Sequence, residues 1–332
     1  MKRSNFLNRS WIFASCIKDY FFKKDRVSKY PHTLIIETTN HCNLSCKMCF
    51  HKKMKRKKGF LSKKTMKILL NNLRNYKIPH VQLAFGGEPF LHPKILDYIK
   101  EFKKLDIKVE IFTNGLLVNK DISNKIIDLE LDIINFSIDS TNNKTYSKIR
   151  RGGNLNIAFK NLKYLSKLKK QLKVKKPFIR LCVTKVKDNR LEIRNNLFKK
   201  KYGKYVDYIY YNYENNWIGS VNNEVIIGKR GVEERDRICL FPWLLMAITH
   251  DGKVVPCCCD YDINYQIGDI HKETLGQIRH IKRLRDIRQA LIKRDYDSIR
   301  ICKKCLWRKH NSPFKLLFNR IKSEIVDLIH LK

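Results

Sequence analysis

Between residues 34 and 213, short apolar runs alternate with longer stretches in which apolar residues recur every three or four positions. The runs 34–39 (LIIETT), 80–86 (HVQLAFG), 108–113 (KVEIFT), 133–139 (IINFSID), 178–184 (FIRLCVT) and 206–213 (VDYIYYNY) have the length and the β-branched or aromatic content of strands. Between them, 62–76, 93–105, 121–130 and 155–170 carry the helical period. Strands alternating with helices predict parallel pairing through right-handed crossovers. The near-continuous apolar strands predict a sheet covered by helices on one side and filled within. Polar or glycine-rich residues close four strands: Thr38-Thr39-Asn40, Gly86-Gly87-Glu88, Thr113-Asn114-Gly115 and Ser137-Ile138-Asp139. In a barrel-like α/β fold that rim is where active sites form. After about residue 215 the alternation stops, which predicts a linker over 216–238, a smaller module over 239–310 and a basic amphipathic helix over 311–332.

The first 32 residues form a basic extension that reads as an amphipathic helix, lying on the core or on a membrane surface. Its apolar stretch is minimal and no small-residue cleavage site follows it, so a signal peptide is not expected. No apolar run approaches the roughly 20 residues that span a bilayer, and the expected location is cytoplasmic. The chain has 332 residues, is 43% hydrophobic and carries a net charge of +39. The hydrophobic content excludes a disordered chain. Lysines spread along the sequence, with no nucleic-acid-binding motif beside them, argue for compositional bias over specific nucleic-acid binding.

Cysteine usage changes the picture most. Eleven cysteines fall mainly into groups at 42/46/49, 239 with 257–259, and 302/305, a pattern that suits metal better than disulfides in a cytoplasmic chain. The first group, in ETTNHCNLSCKMCFH, has C-x3-C-x2-C spacing directly after the first strand. Three thiolates on a [4Fe-4S] cube leave one iron open to a further ligand. Zinc is the alternative, with His41 or His51 as fourth ligand, and spacing alone does not decide between them.

The C-x3-C-x2-C-aromatic run after a first strand, followed by Gly86-Gly87-Glu88-Pro89 at the end of the second, resembles the radical S-adenosylmethionine (SAM) superfamily. The resemblance implies that Cys42, Cys46 and Cys49 hold a [4Fe-4S] cluster whose open iron takes the amino and carboxylate groups of SAM. Reductive cleavage then yields a 5′-deoxyadenosyl radical that abstracts a substrate hydrogen. It further implies that Gly86 and Gly87 admit the methionine end, that Glu88 meets the amino group and that Phe50 flanks the adenine. Asn114, Ser137 and Arg150 match polar and carboxylate contacts of the family. Structural readings stand beside these: a helix cap for Ser137, a surface cation for Arg150 and an ordinary turn for Asn114.

Cys239 opens CLFPW, DGKVVPCCCDYD supplies Cys257, Cys258 and Cys259, and CKKC supplies Cys302 and Cys305. Asp251-Gly252 between two β-like runs predicts a hairpin. This arrangement, with the L-x2-I-R helix before the last pair, resembles the SPASM/twitch module. It implies an auxiliary [4Fe-4S] cluster on Cys239, Cys257, Cys302 and Cys305, in the shorter one-cluster form seen in an alcohol-oxidising enzyme of aminoglycoside biosynthesis. Cys257 is favoured among its neighbours, because adjacent residues point in different directions and all three are not expected at one cluster. The fold class implied is α/β, a partial (β/α)6 TIM-like barrel followed by a small α+β SPASM/twitch iron-sulfur module.

A fully ligated auxiliary cluster suits electron transfer, so dehydrogenation of a small molecule is the leading expectation, with a sugar or sugar nucleotide as substrate and flavodoxin or ferredoxin as external electron donor. Asp260 and Asp262 are candidate bases. A redox-neutral epimerase is the competitor, with Cys182, Cys258 or Cys259 as hydrogen donor. Peptide modification is a third reading, disfavoured by the short segment before the first strand. A zinc-binding, nucleic-acid-associated protein is the remote one.

Overall fold

The computed structural model describes residues 3–218 and 238–305. The expected helix over 311–332, the end of the module beyond 305 and most of the 216–238 linker lie outside the described residues. Nine strands form one sheet in the order β6-β5-β4-β3-β2-β1-β7-β8-β9. They are β1 (Thr33–Ile36), β2 (His80–Leu83), β3 (Lys108–Thr113), β4 (Ile133–Ser137), β5 (Phe178–Lys185), β6 (Tyr208–Tyr213), β7 (Leu245–Ile248), β8 (Lys253–Val255) and β9 (Gly268–Asp269). The first six pair in parallel, each with its sequence neighbour, and make the partial barrel.

Helices α1 (Arg3–Phe21), α2 (Lys63–Asn75), α3 (Ile95–Lys104), α4 (Lys120–Asp128), α5 (Asn143–Ile149), α6 (Leu155–Gln171), α7 (Arg190–Arg194) and α8 (Leu197–Tyr202) belong to the first part. The second part holds α9 (Phe241–Leu244), α10 (Leu275–His280), α11 (Lys282–Lys293) and α12 (Arg300–Lys303). Four crossover helices start where a short polar side chain caps them. Ser62, Asn119, Asn142 and Asn154 accept from the backbone N–H groups of Thr65, Ile122, Thr145 and Ile157, satisfying donors that the first turn leaves unpaired.

One side of the sheet is apolar. Leu34, Ile36, Val81, Leu83, Val109, Ile111, Ile134, Phe136, Ile179 and Leu181 are buried in the main core. The inner side departs from expectation: the barrel is not filled with apolar residues but encloses a cavity of about 810 Å3 whose walls include Gln82, Glu110, Asn135 and Arg180. The period of two explains this. Within HVQL, KVEIFT, IINFS and FIRLCVTK, the residues flanking each outward apolar position are largely polar and face inward.

The second part is continuous with the barrel sheet. β7 pairs in parallel with β1, Thr33 opposite Leu245 and Ile36 opposite Ile248, and β7–β8 is the expected hairpin around Asp251-Gly252. α1 packs on this part: Ile12 and Cys16 are buried, Tyr20 sets its ring edge against Trp243 at 5.5 Å, and its hydroxyl donates to the Ile238 carbonyl at 2.9 Å.

The single turn of α9 cannot satisfy its own last carbonyls. Two buried arginines do so. Arg279 and Arg288 each end an L-x2-I-R stretch (275–279 and 284–288). Arg279 donates to the carbonyls of Pro242 (3.1 Å) and Trp243, and Arg288 donates to that of Pro242 (3.1 Å). Replacing Arg279 by Leu leaves the Trp243 carbonyl without its arginine donor, while Arg288 still serves Pro242, and is expected to destabilise the protein by about 1–3 kcal/mol in urea unfolding. A change within experimental error would show that these bonds contribute nothing net.

Candidate active site

The chain leaves β1 into a loop that carries Cys42, Cys46 and Cys49, fixed on two flanks. On one, the 57–61 segment returns alongside: Leu61 N donates to Thr38 O (2.7 Å), the Thr39 hydroxyl to Gly59 O (2.7 Å), and the Asn40 side chain accepts from Gly59 N (2.8 Å) and donates to Lys57 O (3.0 Å). On the other, Ser45 N and Lys47 N donate to the carbonyls of Arg151 (2.9 Å) and Ile149 (2.8 Å). All three cysteines line the cavity. Of the two histidines of the zinc alternative, His51 lines the same cavity with its Nε2 engaged by the Asn40 carbonyl at 2.8 Å, and His41 stacks on Phe60 with centroids 4.7 Å apart.

The neighbouring rim is tied to this loop. Glu88 N donates to His41 O at 2.9 Å. The buried Glu88 carboxylate accepts from the Thr113 hydroxyl (2.8 Å) and from Asn114 N (2.7 Å), and the Asn114 amide donates to Asn43 Oδ1 at 2.7 Å. A Cβ on Gly86 would lie 2.1 Å from Glu37 Oε1, and one on Gly87 would lie 2.2 Å from the His41 carbonyl. Only glycine allows this approach of the rim to the cysteine loop. Glu37 is itself held by Arg56 in a bidentate pair (2.6 and 2.9 Å) and by His250 (2.9 Å).

Arg150 is buried, with its Nε 2.7 Å from Asp139 Oδ2 and its Nη1 donating to Cys46 Sγ at 3.8 Å. It is a buried cation beside a thiol of the first cysteine group, not a surface charge. Burial pushes the thiols up, Cys42 to about 12 and Cys49 to about 11, while at Cys46 the Arg150 charge opposes the rise. Three thiols held on one wall in a low-dielectric site, one with a guanidinium at hand, form a donor set that is costly to ionise alone and suits a metal cluster. Ser137 and Asn114 also line the cavity. Phe50 is buried, with one ring face stacked on Tyr261 at 4.2 Å.

The second cysteine group meets at a small void lined by Cys239, Cys257, Cys259, Cys302 and Cys305. The Sγ atoms of Cys257, Cys258 and Cys259 all lie within 4.8 Å of one another, so the expectation that three consecutive thiols diverge is overturned. The backbone turns tightly here, with Asp260 N bonded to Cys257 O and Cys259 N to Cys257 Sγ. Cys258 and Cys259 also line the large cavity, together with the Cys42 group.

Of the candidate bases, Asp260 also lines the small cysteine void. Asp260 is buried and accepts from Asn264 N, Tyr265 N and the Asn264 amide, which shapes its own loop. Asp262 accepts from Lys55 N at 2.9 Å. Neither is among the residues lining the large cavity. The Cys182 thiol is buried, donates to Asn135 Oδ1 at 3.5 Å and is pushed up to about 12 by burial. Sequence reasoning passed over Glu110 and Arg180 on the cavity wall, and Glu37 and Arg56 beside it. The signal was there: a charged residue at an inward position of an otherwise apolar strand.

Comparison with known proteins agrees with this geometry. The profile of the Radical SAM superfamily matches residues 36–175, and that of the SPASM iron-sulfur cluster-binding domain matches residues 239–306. Together they imply a SAM-binding [4Fe-4S] cluster and an auxiliary cluster. Among curated relatives, a tungsten-containing aldehyde ferredoxin oxidoreductase cofactor-modifying protein of Pyrococcus furiosus is 29% identical over 163 residues, 47% of this chain and 44% of that protein. A GTP 3′,8-cyclase of Limosilactobacillus fermentum is 30% identical over 145 residues, 42% of each. The chain thus matches less than half the length of these relatives. Among solved structures, BtrN in complex with AdoMet and 2-DOIA superposes with a TM-score of 0.58 at 16% identity, covering 84% of this chain and 94% of that one. Streptococcus suis SuiB bound to precursor peptide SuiA gives 0.65 at 17%, covering 87% and 73%. At such identities the likeness shows the fold.

Burial raises the Glu88 carboxyl to about 7, from an ordinary 4.5. The fold therefore favours the protonated acid, and that contribution is complete below about pH 4.5 and lost as pH rises through 7. Unfolding of the metal-free protein followed from pH 5 to 8 should show a loss of about 2 kcal/mol that is absent in Glu88→Gln. Parallel pH profiles for the two proteins would contradict this.

Proposed function

Because the chain belongs to the radical SAM superfamily and carries a SPASM iron-sulfur module, we propose that it is an oxidoreductase that dehydrogenates a small molecule. The observation that carries the reading is that one chamber is walled by cysteines of both groups: Cys42, Cys46 and Cys49, and Cys258 and Cys259. When bound, SAM and its cluster would supply a 5′-deoxyadenosyl radical for hydrogen abstraction and the auxiliary cluster an acceptor for the second electron, the substrate's remaining hydroxyl proton leaving to water.

The chain's own residues do the rest. Cys42, Cys46 and Cys49 hold the first cluster, with Arg150 steadying the Cys46 thiolate. Glu88, polarised by Thr113 and Asn114, receives the ammonium group of SAM, while Asn114 and Ser137 offer further polar contacts at the cavity wall. Cys239, Cys257, Cys302 and Cys305 hold the auxiliary cluster. Cys259, which accepts from the Asn215 amide at 3.1 Å, stands between the void and the chamber. Small reduced carriers such as flavodoxin or ferredoxin are acidic partners suited to a surface of this charge. A small substrate is supported by the near-complete coverage of BtrN, whose complex holds 2-DOIA. Placement of Cys258 on the chamber wall favours one second reading, epimerisation with a thiol as hydrogen donor.

The test is anaerobic turnover of the reconstituted protein with dithionite and SAM. Wild type is expected to release 5′-deoxyadenosine, and the Cys42→Ala/Cys46→Ala/Cys49→Ala variant to release none above background. Equal release by the two proteins would sink the reading. Solvent deuterium retained at a carbon of the product would replace dehydrogenation by epimerisation.

A further inference from the structure

The inner wall of the barrel is divided. Across β2 to β6 it is a belt of hydrogen-bonding groups: Gln82, Glu110, Asn135, Arg180 and Tyr210 all line the chamber. The facing wall, from β1, β7 and α9, is largely apolar, with Ile35, Leu245 and Phe241 packed together. The belt is built as one unit around Glu110. Its carboxylate accepts from the Gln82 amide (2.8 Å), the Asn135 amide (3.0 Å) and Arg180 Nη1 (3.0 Å), and lies 3.1 Å from His80 Nε2.

Stability does not call for such a belt. Closed eight-stranded barrels fill their interiors with branched apolar layers, and this open six-stranded one does not. Removing a carboxylate and a guanidinium from water costs about as much as their attraction returns, or more. The groups bond one another while Gln82, Arg180 and Tyr210 remain half-buried at the chamber surface, which leaves oriented amide, guanidinium and phenol groups for a ligand. The arrangement is also balanced in charge, since the carboxylate of Glu110 and the guanidinium of Arg180 are paired. Among the described residues, the belt itself therefore carries no net positive charge for a diphosphate.

We propose, resting on the radical SAM reading above, that the chamber binds a free cyclic polyol or amino-polyol, not a nucleotide conjugate, with Gln82, Glu110, Asn135, Arg180 and Tyr210 as its specificity-determining residues. A saturated ring of this class has a hydroxyl rim and an apolar C–H face, which match the belt and the facing wall. Planar amide and guanidinium groups hydrogen-bond adjacent hydroxyls in pairs. A site that satisfies hydroxyls in this way rejects analogues lacking them, because its own buried groups are then left unpaired.

The experiment is ligand-observed NMR on the cluster-reconstituted, SAM-bound protein. The probes are myo-inositol, glucosamine, UDP-N-acetylglucosamine and a serine-containing peptide. Binding of myo-inositol or glucosamine is expected, and the double variant Gln82→Leu/Asn135→Leu, of nearly conserved volume, should weaken it by about tenfold or more. SAM affinity of the variant serves as the control for folding. Failure of both polyols to bind a protein that binds SAM overturns the proposal. So does a double variant that binds SAM and the polyol as wild type does, or binding of the nucleotide sugar or the peptide alone. A wild type that neither binds nor cleaves SAM would refute the radical SAM reading instead.

Discussion

The pairing of β7 with β1 is the constraint on which the site depends. It joins two parts of the chain, separated by the 216–238 stretch, into one sheet, with Ile35 opposite both Gln82 and Ala247. From that register the chain after β8 crosses back to the first cysteine loop. Tyr261 stacks on Phe50, Asp262 accepts from Lys55 N, and Arg56 donates to the Tyr261 carbonyl while its guanidinium holds Glu37. The sheet fixes how far apart the two cysteine groups stand, and these contacts fix their orientation. A slip of one residue between β1 and β7 would turn Ile35 and Ala247 to the wrong face.

The second theme is burial of groups that prefer water. Glu88, Asp139, Arg150 and the Cys259 thiol are taken out of solvent, and the other thiols of both groups are half-buried. Each is held by bonds from the backbone or from a partner, not by apolar packing. Such sites destabilise the metal-free fold and become favourable when a cation neutralises the thiolates. The main apolar core, on the helix-covered side of the sheet, supplies the stability that this arrangement draws on.

Much of this was legible in the sequence, and for a physical reason. Six strands and four crossover helices could be read because each has a single buried face, and a buried face imposes a period. The Cys42 group could be read because ligand spacing along one loop is local. What escaped depends on groups distant in sequence. Arg150 reads as a cation on paper, and only the fold brings it to Asp139 and Cys46. Glu110 looks like an interruption in KVEIFT until Gln82, Asn135 and Arg180 arrive from three other strands. The three thiols at 257–259 converge because of a tight turn that no spacing rule encodes, and Asp260, adjacent to them, lines the same void while its carboxylate shapes its own loop.

The central claim is that the chain holds two separate iron-sulfur sites, one in the chamber and one in the adjoining void, with Cys259 lining both. Iron analysis and EPR spectroscopy of anaerobically reconstituted protein test it most directly. The account predicts about eight irons per chain. It predicts about four in the Cys42→Ala/Cys46→Ala/Cys49→Ala variant and about four in the Cys239→Ala/Cys302→Ala/Cys305→Ala variant, with a different EPR signal surviving in each. A zinc-loaded wild type, or loss of all iron on removing either cysteine group from a folded chain, would contradict it.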